Sequence, residues 1–467
     1  MKINNKMAEE NEIDEKNLKE KEEDFFDYSQ VDPLTAIGYI AEPGSIYYIQ
    51  PSKELSSYPM YIENPQKIEK RVGAYIAYTL NGTDITAQTT RRYSDFFALY
   101  EKLVQRWPGI YVPPIPPKLI AKNTSRKKIK HRMRLLNRFC LNLSNIDYLY
   151  SCEETSLFKR NTPDLASAIS KLPELTNDEY LKRLKEAFPN HNEEYDILIG
   201  KGVIIDFEVF LKKSLKNVEM FEKCVENAAE KREQEIKNYF ELIKGLVEYE
   251  KNSINVFCDD NFNSLIFNNS AYKELAEKVE KLKNRMINPY TAFKDWLEEE
   301  TLDAEAMLTT IKGIYELIEK EEKLKQKVGA IEADIKNLEG GRSSLKQLFK
   351  KKEAVIAIKQ KEKDEHLEKF HNFELIVKIV AENLENQIGE FKKSKTQTYY
   401  KYLKIFAILQ RESNKAIREL WSLVQKALSE VAPNAYQANG DYVAKPMSTE
   451  QNDEEQLDAD VDDVEEN

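Results

Sequence analysis

Apolar residues along this chain recur in two rhythms, and the change between them divides it. From Tyr58 they come in short β-rich runs: Pro59 to Glu63, Ala74 to Leu80 (AYIAYTL) and Asp84 to Thr90. Asn81-Gly82 lies between the last two, which predicts a hairpin. The last run leads into Arg91-Arg92-Tyr93, and Ser94-Asp95 then precede a helix whose apolar face is Phe96, Leu99, Tyr100 and Leu103. Trp107-Pro108-Gly109 ends it. Pro113, Pro114, Pro116 and Pro117 exclude another helix until about Arg126 and favour a polyproline-like turn. Helical spacing returns from Ile129 to Leu143 through Met133, Leu136, Phe139 and Cys140, and a short helix is expected from about Glu153 to Arg160. Residues 58–160 therefore read as a small sheet with helices, an α+β domain.

Residues 161–200 form a connector of short helices broken by Pro163, Pro173 and Pro189. Beyond it the rhythm is almost continuously helical. One segment, Phe207 to about Phe257, places apolar residues at 207, 211, 215, 218, 221, 225, 236, 239, 243 and 246, with a weak stretch near Arg232. A second, Phe293 to Leu338, runs through Leu297, Ala304, Leu308, Ile311, Ile314, Ile318, Leu324, Val328, Ile331 and Ile335. A third, from about Ala354 to Val431, includes Phe370, Val377, Val380, Leu384, Ile388, Phe391, Leu403, Phe406, Ile417, Leu420, Val424 and Leu428. One-face periodicity sustained over such lengths predicts helices packed along their whole length. At 1.5 Å per residue the third would span roughly 115 Å. Asn288-Pro289 and Gly340-Gly341 mark the two reversals, so the expectation is an elongated antiparallel three-helix bundle that dimerises to bury a remaining apolar seam.

Composition changes this picture at the ends. The 467 residues carry a net charge of −11 and are 41% hydrophobic. Residues 448–467 alone carry −10 and residues 1–27 carry −5, which leaves the rest at +4. Both ends read as solvated acidic tails, so 1–57 and 433–467 are expected to be mostly disordered, with a weak strand candidate at Ser45 to Gln50. Cys140, Cys152, Cys224 and Cys258 form no CxxC pair, which points to a reducing, cytoplasmic compartment. No signal peptide is read at the start. No apolar run approaches about 18 residues, so any membrane contact is expected to be peripheral.

Charge is most uneven in the middle. Between Lys118 and Arg134 there are eight Lys or Arg residues and no Asp or Glu. A local excess of one sign in an acidic chain reads as an anion site, although a solvated helix face and a basic address signal share that composition. Arg92 and Tyr93 stand where a strand meets a helix, a position able to hold a guanidinium fork against a phosphate.

The order of these pieces, RRYSDF, an amphipathic helix, PPIPPK and a basic helix, resembles the phox-homology (PX) domain of sorting nexins over residues 58–160. The resemblance implies a phosphatidylinositol 3-phosphate site. By position it implies that Arg92 grips the 3-phosphate and Tyr93 packs on the inositol ring. Lys118 would take the 1-phosphate and Arg132 the 4- and 5-hydroxyls. The segment between Lys118 and Arg132 is shorter than in many PX domains, which leaves Arg134 or Arg126 as substitutes for Arg132. Leu119 and Ile120 are the candidates for bilayer insertion, with a local core role as the alternative. Lys122, Arg126, Lys127, Lys128 and Lys130 would form a diffuse surface for anionic lipid. The three long helices at 201–432 resemble the BAR domain of the same proteins. The tip between helices two and three, Gly340 to Lys352, carries Arg342, Lys346, Lys350, Lys351 and Lys352, each able to add up to about 1 kcal/mol against anionic headgroups.

The expected fold is thus an α+β PX domain followed by an all-α, BAR-like three-helix domain. No catalytic constellation is read: four histidines are present, with no HExxH, nucleophile elbow or phosphate-binding GxxxxGK[ST] loop, and His366 and His371 are five apart on a helix. No enzyme activity, metal or cofactor is expected. The leading function is a peripheral protein of endosomal membrane that binds phosphatidylinositol 3-phosphate and anionic lipid and forms homo- or heterodimers, sensing or shaping membrane in protein sorting. The alternative is a coiled-coil tether that uses the PX domain only as an address. Nucleic acid is not expected, since the basic run has no aromatic stacking platform.

Overall fold

The structure, a computed structural model, describes residues 58–69, 74–85, 89–118, 126–162, 164–250, 252, 277–279, 281–282, 285–340 and 352–431. The strand candidate at 45–50, both acidic tails, Leu119, Ile120, Lys122 and the tip residues 341–351 lie outside the described residues, and of Arg126 and Lys127 only the helical backbone is described. The described chain falls into two compact units, one within Met1–Lys231 and Asn288–Leu409, the other within Arg232–Ile287 and Gln410–Asn467.

The first unit opens with a three-stranded antiparallel sheet in the order β1-β2-β3, with β1 at Tyr61–Glu69, β2 at Ala74–Asn81 and β3 at Thr89–Arg92. The Asn81-Gly82 hairpin expected from the sequence is wider than a two-residue turn. Leu80 pairs with Thr89, so the connection runs over residues 81–88. Its start folds back on the entry to the sheet instead, Thr83 N–H donating to Tyr58 O at 3.1 Å. Gly82 has φ +147, and a Cβ there would lie 2.1 Å from Pro59 O, so glycine is required by close approach.

Helix α1 (Tyr93–Arg106) follows β3 directly and buries Phe96, Leu99 and Leu103, as its spacing predicts. Helix α2 (Arg126–Ser144) buries Ile129, Met133, Leu136, Phe139, Cys140 and Leu143. Buried Asn137 on α2 accepts from Ile62 N–H at 2.7 Å and donates to Ile62 O at 2.9 Å, supplying a strand-like partner where β1 is irregular between Glu63 and Gln66. Short helices α3 (Asp147–Tyr150), α4 (Glu153–Lys159), α5 (Leu165–Ser170) and α6 (Asn177–Ala187) complete this part. Helix α6 begins at a Thr176/Glu179 capping box.

Three long helices follow: α7 (Ile197–Tyr249), α8 (Tyr290–Glu339) and α9 (Lys352–Val431). The first begins ten residues before the periodicity read from Phe207. Within the first unit, one core runs from the sheet through α1 and α2 into the long helices, joining Phe96, Leu136 and Phe139 to Ile311, Ile314, Val377 and Val380. The predicted seams are buried or half-buried at most described positions, but Phe221, Leu246 and Leu403 are exposed, as are Leu198, Ile205, Val209, Phe210 and Met220 on α7. The second unit has its own small core of Ile243, Leu282, Met286, Ala416 and Leu420. Arg232, the weak point in the α7 rhythm, lies there, bonded to Glu235 at 2.8 Å, Asn414 at 2.8 Å and Ser413 at 3.1 Å. A residue that interrupts the apolar spacing is thus one that makes polar contacts across to another helix.

Candidate functional site

The junction of β3 and α1 separates two adjacent arginines. Arg91 points inward and is buried; its Nε and Nη2 donate to Phe158 O at 3.0 and 2.8 Å, and Nη2 also donates to Arg160 O. Arg92 points out, its side chain 40% exposed. Asp95 accepts from the Arg92 backbone N–H at 3.0 Å, closing the first turn of α1, and sits 3.5 Å from Arg92 Nε. The Arg92 guanidinium lies 5.6 Å from the centre of the Tyr75 ring, held against an aromatic face on β2.

Tyr93 is the hub. Its hydroxyl donates to Pro116 O at 2.7 Å, which ties the proline turn to the start of α1. The Arg132 guanidinium lies 4.7 Å from the centre of the Tyr93 ring. Burial raises the Tyr93 pKa, against the opposing pull of Arg132, so the phenol stays neutral and keeps its proton for Pro116. Tyr78, buried beneath, is pushed up to about 12 by burial, with Arg132 again opposing. Lys118 is exposed two residues beyond Pro116. The structure thus brings Arg92, Tyr93 and Arg132 together and leaves Lys118 at the end of the proline turn that Tyr93 anchors. Lys128 is exposed and Lys130 half-buried, four and two residues before Arg132 on α2. Two cations held on aromatic faces beside an exposed lysine make a surface suited to a polyanion with a ring.

Arg134, a substitute for Arg132 by sequence, is corrected by the structure. It is buried against α8, bonded to Glu299 and within 3.3 Å of Asp295 and 3.5 Å of Glu298. Arg138 continues the contact, 2.5 Å from Asp303 and 3.5 Å from Glu299, and His131 Nε2 lies 2.8 Å from Glu298. Burial alone would lower the pKa of both arginines, but the carboxylates outweigh it and raise them. His131, Asp295 and Glu298 present ligand atoms within 4.8 Å of one another, a spacing fit for a metal ion, but the Arg134 guanidinium already supplies a cation to that cluster. Part of the basic run read as an anion surface is therefore spent inside the protein. The signal available in the sequence was spacing: 131, 134 and 138 share one helix face, as do 295, 299 and 303. An open groove of about 1160 Å³ lies beside this contact, lined by Arg138, Tyr148, Asp303, Gln387 and Lys395, and includes none of the predicted site residues.

Residues 81–161 match the PX domain family. The chain is similar to two curated proteins. Sorting nexin lst-4 of Caenorhabditis elegans is 33% identical over 91 residues, 18% of this chain and 16% of that protein. Sorting nexin-41 of Yarrowia lipolytica is 27% identical over 140 residues, 28% of this chain and 24% of that protein. The chain thus matches less than a quarter of the length of either relative. Among solved structures, that titled the cryo-EM structure of the SNX-BAR Mvp1 tetramer covers 78% of this chain and 100% of its own, with a TM-score of 0.49 and 15% identity. In its PX segment the chain is similar to sorting nexins, and three long helices follow that segment. No described helix is long and apolar enough to cross a membrane.

Proposed function

We propose that this chain is a peripheral membrane protein that binds the headgroup of phosphatidylinositol 3-phosphate and dimerises through its long helices to sense or shape endosomal membrane during protein sorting. The working parts are residues 58–160 for the lipid, 161–200 as connector and 201–432 for dimerisation. The observation that carries the reading is the cluster of Arg92, Tyr93 and Arg132, with Arg132 stacked 4.7 Å from the Tyr93 ring centre and Arg92 exposed beside it. Arg92 takes the 3-phosphate through its planar fork, and Tyr93 offers its ring to the inositol face. Lys118 reaches the 1-phosphate, and Arg132 takes the remaining hydroxyls. The chemistry is recognition, and no bond is made or broken.

The test is flotation with vesicles of phosphatidylcholine and phosphatidylserine, with or without phosphatidylinositol 3-phosphate. Wild-type protein is expected to gain binding when the phosphoinositide is added, and Arg92→Ala to lose that gain and endosomal recruitment while still dimerising. An Arg92→Ala protein recruited like wild type would overturn the site. Electron microscopy of the same vesicles decides the second part: tubules support membrane shaping, and clustering without tubules supports a tether.

A further inference from the structure

Helix α2 presents its cations in two directions. Arg132 stacks on Tyr93 at the candidate headgroup site, while His131, Arg134 and Arg138 meet the carboxylates of α8. Arg132 and Arg134 are two residues apart, about 200° around a helix, so they point to nearly opposite sides. The α8 contact is well made: the side chains of Arg134, Glu299 and Asp303 are only 10%, 13% and 16% exposed. Lys395 of α9 closes it from behind, 2.6 Å from Glu300 and 3.5 Å from Asp303. Beside the buried apolar face of α2 and the Asn137–Ile62 pair on β1, the carboxylates of α8 hold the helix over two turns.

Resting on the function proposed above, we infer that Asp295, Glu298, Glu299 and Asp303 are positioning residues for the phosphoinositide site. By clamping one side of α2 they set the rotation and height of the helix, and so hold Arg132 over the Tyr93 ring on the other side. None of the four touches the lipid. A headgroup site needs its forks held within about half an ångström to be selective, and here that precision comes from a long helix more than 150 residues away in sequence. Headgroup recognition is therefore a property of α2 docked on α8. Its loss spares the diffuse attraction of Lys128 and Lys130 to anionic lipid, which depends on charge alone.

The experiment uses the full chain and vesicles of phosphatidylcholine with 20% phosphatidylserine, with or without 3% phosphatidylinositol 3-phosphate, chosen as about the range in which a single headgroup adds measurably to surface charge. Glu299→Lys is expected to weaken the phosphoinositide-dependent part of binding by about tenfold or more and to leave binding to phosphatidylserine alone unchanged. Glu299→Asp, which keeps the carboxylate, is expected to retain it, and an unchanged melting temperature in Glu299→Gln beside a weakened phosphoinositide response is the readout that a merely stabilising residue would not give. Since Glu299→Lys sets a third cation beside Arg134 and Arg138 in a half-buried place, Glu299→Gln and Asp303→Asn serve as milder variants, expected to weaken the same part without unfolding. Full phosphoinositide dependence in those folded variants, together with its loss in Arg132→Ala, overturns the positioning role alone. No phosphoinositide dependence in the wild type overturns the headgroup reading and this inference with it.

Discussion

Arg91 and Arg92 are neighbours of one chemistry with opposite fates, and the difference can be measured. Arg91 holds the backbone carbonyls of Phe158 and Arg160 at the end of α4 from a buried position, and burial lowers its pKa against the pull of Asp95. Removing its guanidinium takes both donors from Phe158 O and leaves Arg160 O only the Thr162 N–H, at a cost of roughly 2–4 kcal/mol. Chemical denaturation is expected to show that loss for Arg91→Ala and a change within about 0.5 kcal/mol for Arg92→Ala. Only the second variant is expected to lose phosphoinositide-dependent flotation. A buried carboxylate gives a separate handle. Glu154 is fully buried, 2.7 Å from Arg106 and 2.9 Å from Arg183. Burial alone would raise its pKa, but bonds from Arg183 and Cys152 bring it below the ordinary value of 4.5. Its contribution is full above that value and is lost as pH falls through the lower folded-state value. Stability measured by thermal unfolding should therefore drop below about pH 4.5, and Glu154→Gln, less stable at neutral pH, should show a shallower acid decline.

At the scale of elements, a turn and a helix of the first unit come within backbone contact. Trp107-Pro108-Gly109 ends α1, with Gly109 at φ +79, and seats its backbone on Gly313 of α8. A Cβ on Gly313 would lie 2.4 Å from Gly109 N, and a Cβ on Gly109 would lie 2.6 Å from Val380 of α9. Tyr180 of α6 fixes the same turn by donating to Pro108 O at 2.6 Å. Gly313→Val is thus expected to destabilise the protein by about 1–3 kcal/mol or more, and to raise amide exchange in α1 and α8 while sparing the second unit's core. The turn itself was legible as a helix stop; its partner was not, because a helix-interior glycine carries no mark of what approaches it. The same limit explains the rest. Apolar spacing announced α1, α2 and the long helices, since each encodes its own buried face. Arg132, Arg134 and Arg138 look alike in sequence, and only the acids at 295, 299 and 303, placed by the fold, separate the two that face α8 from Arg132, which faces Tyr93. The connection after Asn81 was misjudged for a related reason: its residues Thr83 and Asp84 donate to Tyr58 and Pro59, outside the hairpin.

For the molecule as a whole, the deciding question is what covers the apolar face of α7. Leu198 is 77% exposed, Met220 64%, Val209 54% and Ile205 52%, all within one compact unit and on a helix whose other side is buried at Phe207, Leu211 and Val218. Leu198, Ile205, Val209 and Met220 follow steps of seven, four and eleven, a stripe of helical period on the outer side. Such a stripe left in water favours association, and a second copy supplies a matching stripe. Dimerisation would also give each particle two headgroup sites. Two weak sites on one membrane bind as a pair with an avidity that can exceed the single site by roughly a hundredfold or more. Ile205→Glu with Val209→Glu is therefore expected to yield a monomer in sedimentation equilibrium, with unchanged helix content. Its affinity for a soluble inositol 1,3-bisphosphate headgroup should match wild type, whereas its retention on phosphoinositide vesicles should fall at least about tenfold. A monomer that holds vesicles as firmly as wild type would mean that one site and its basic surround suffice, and the long helices would then serve partners rather than avidity.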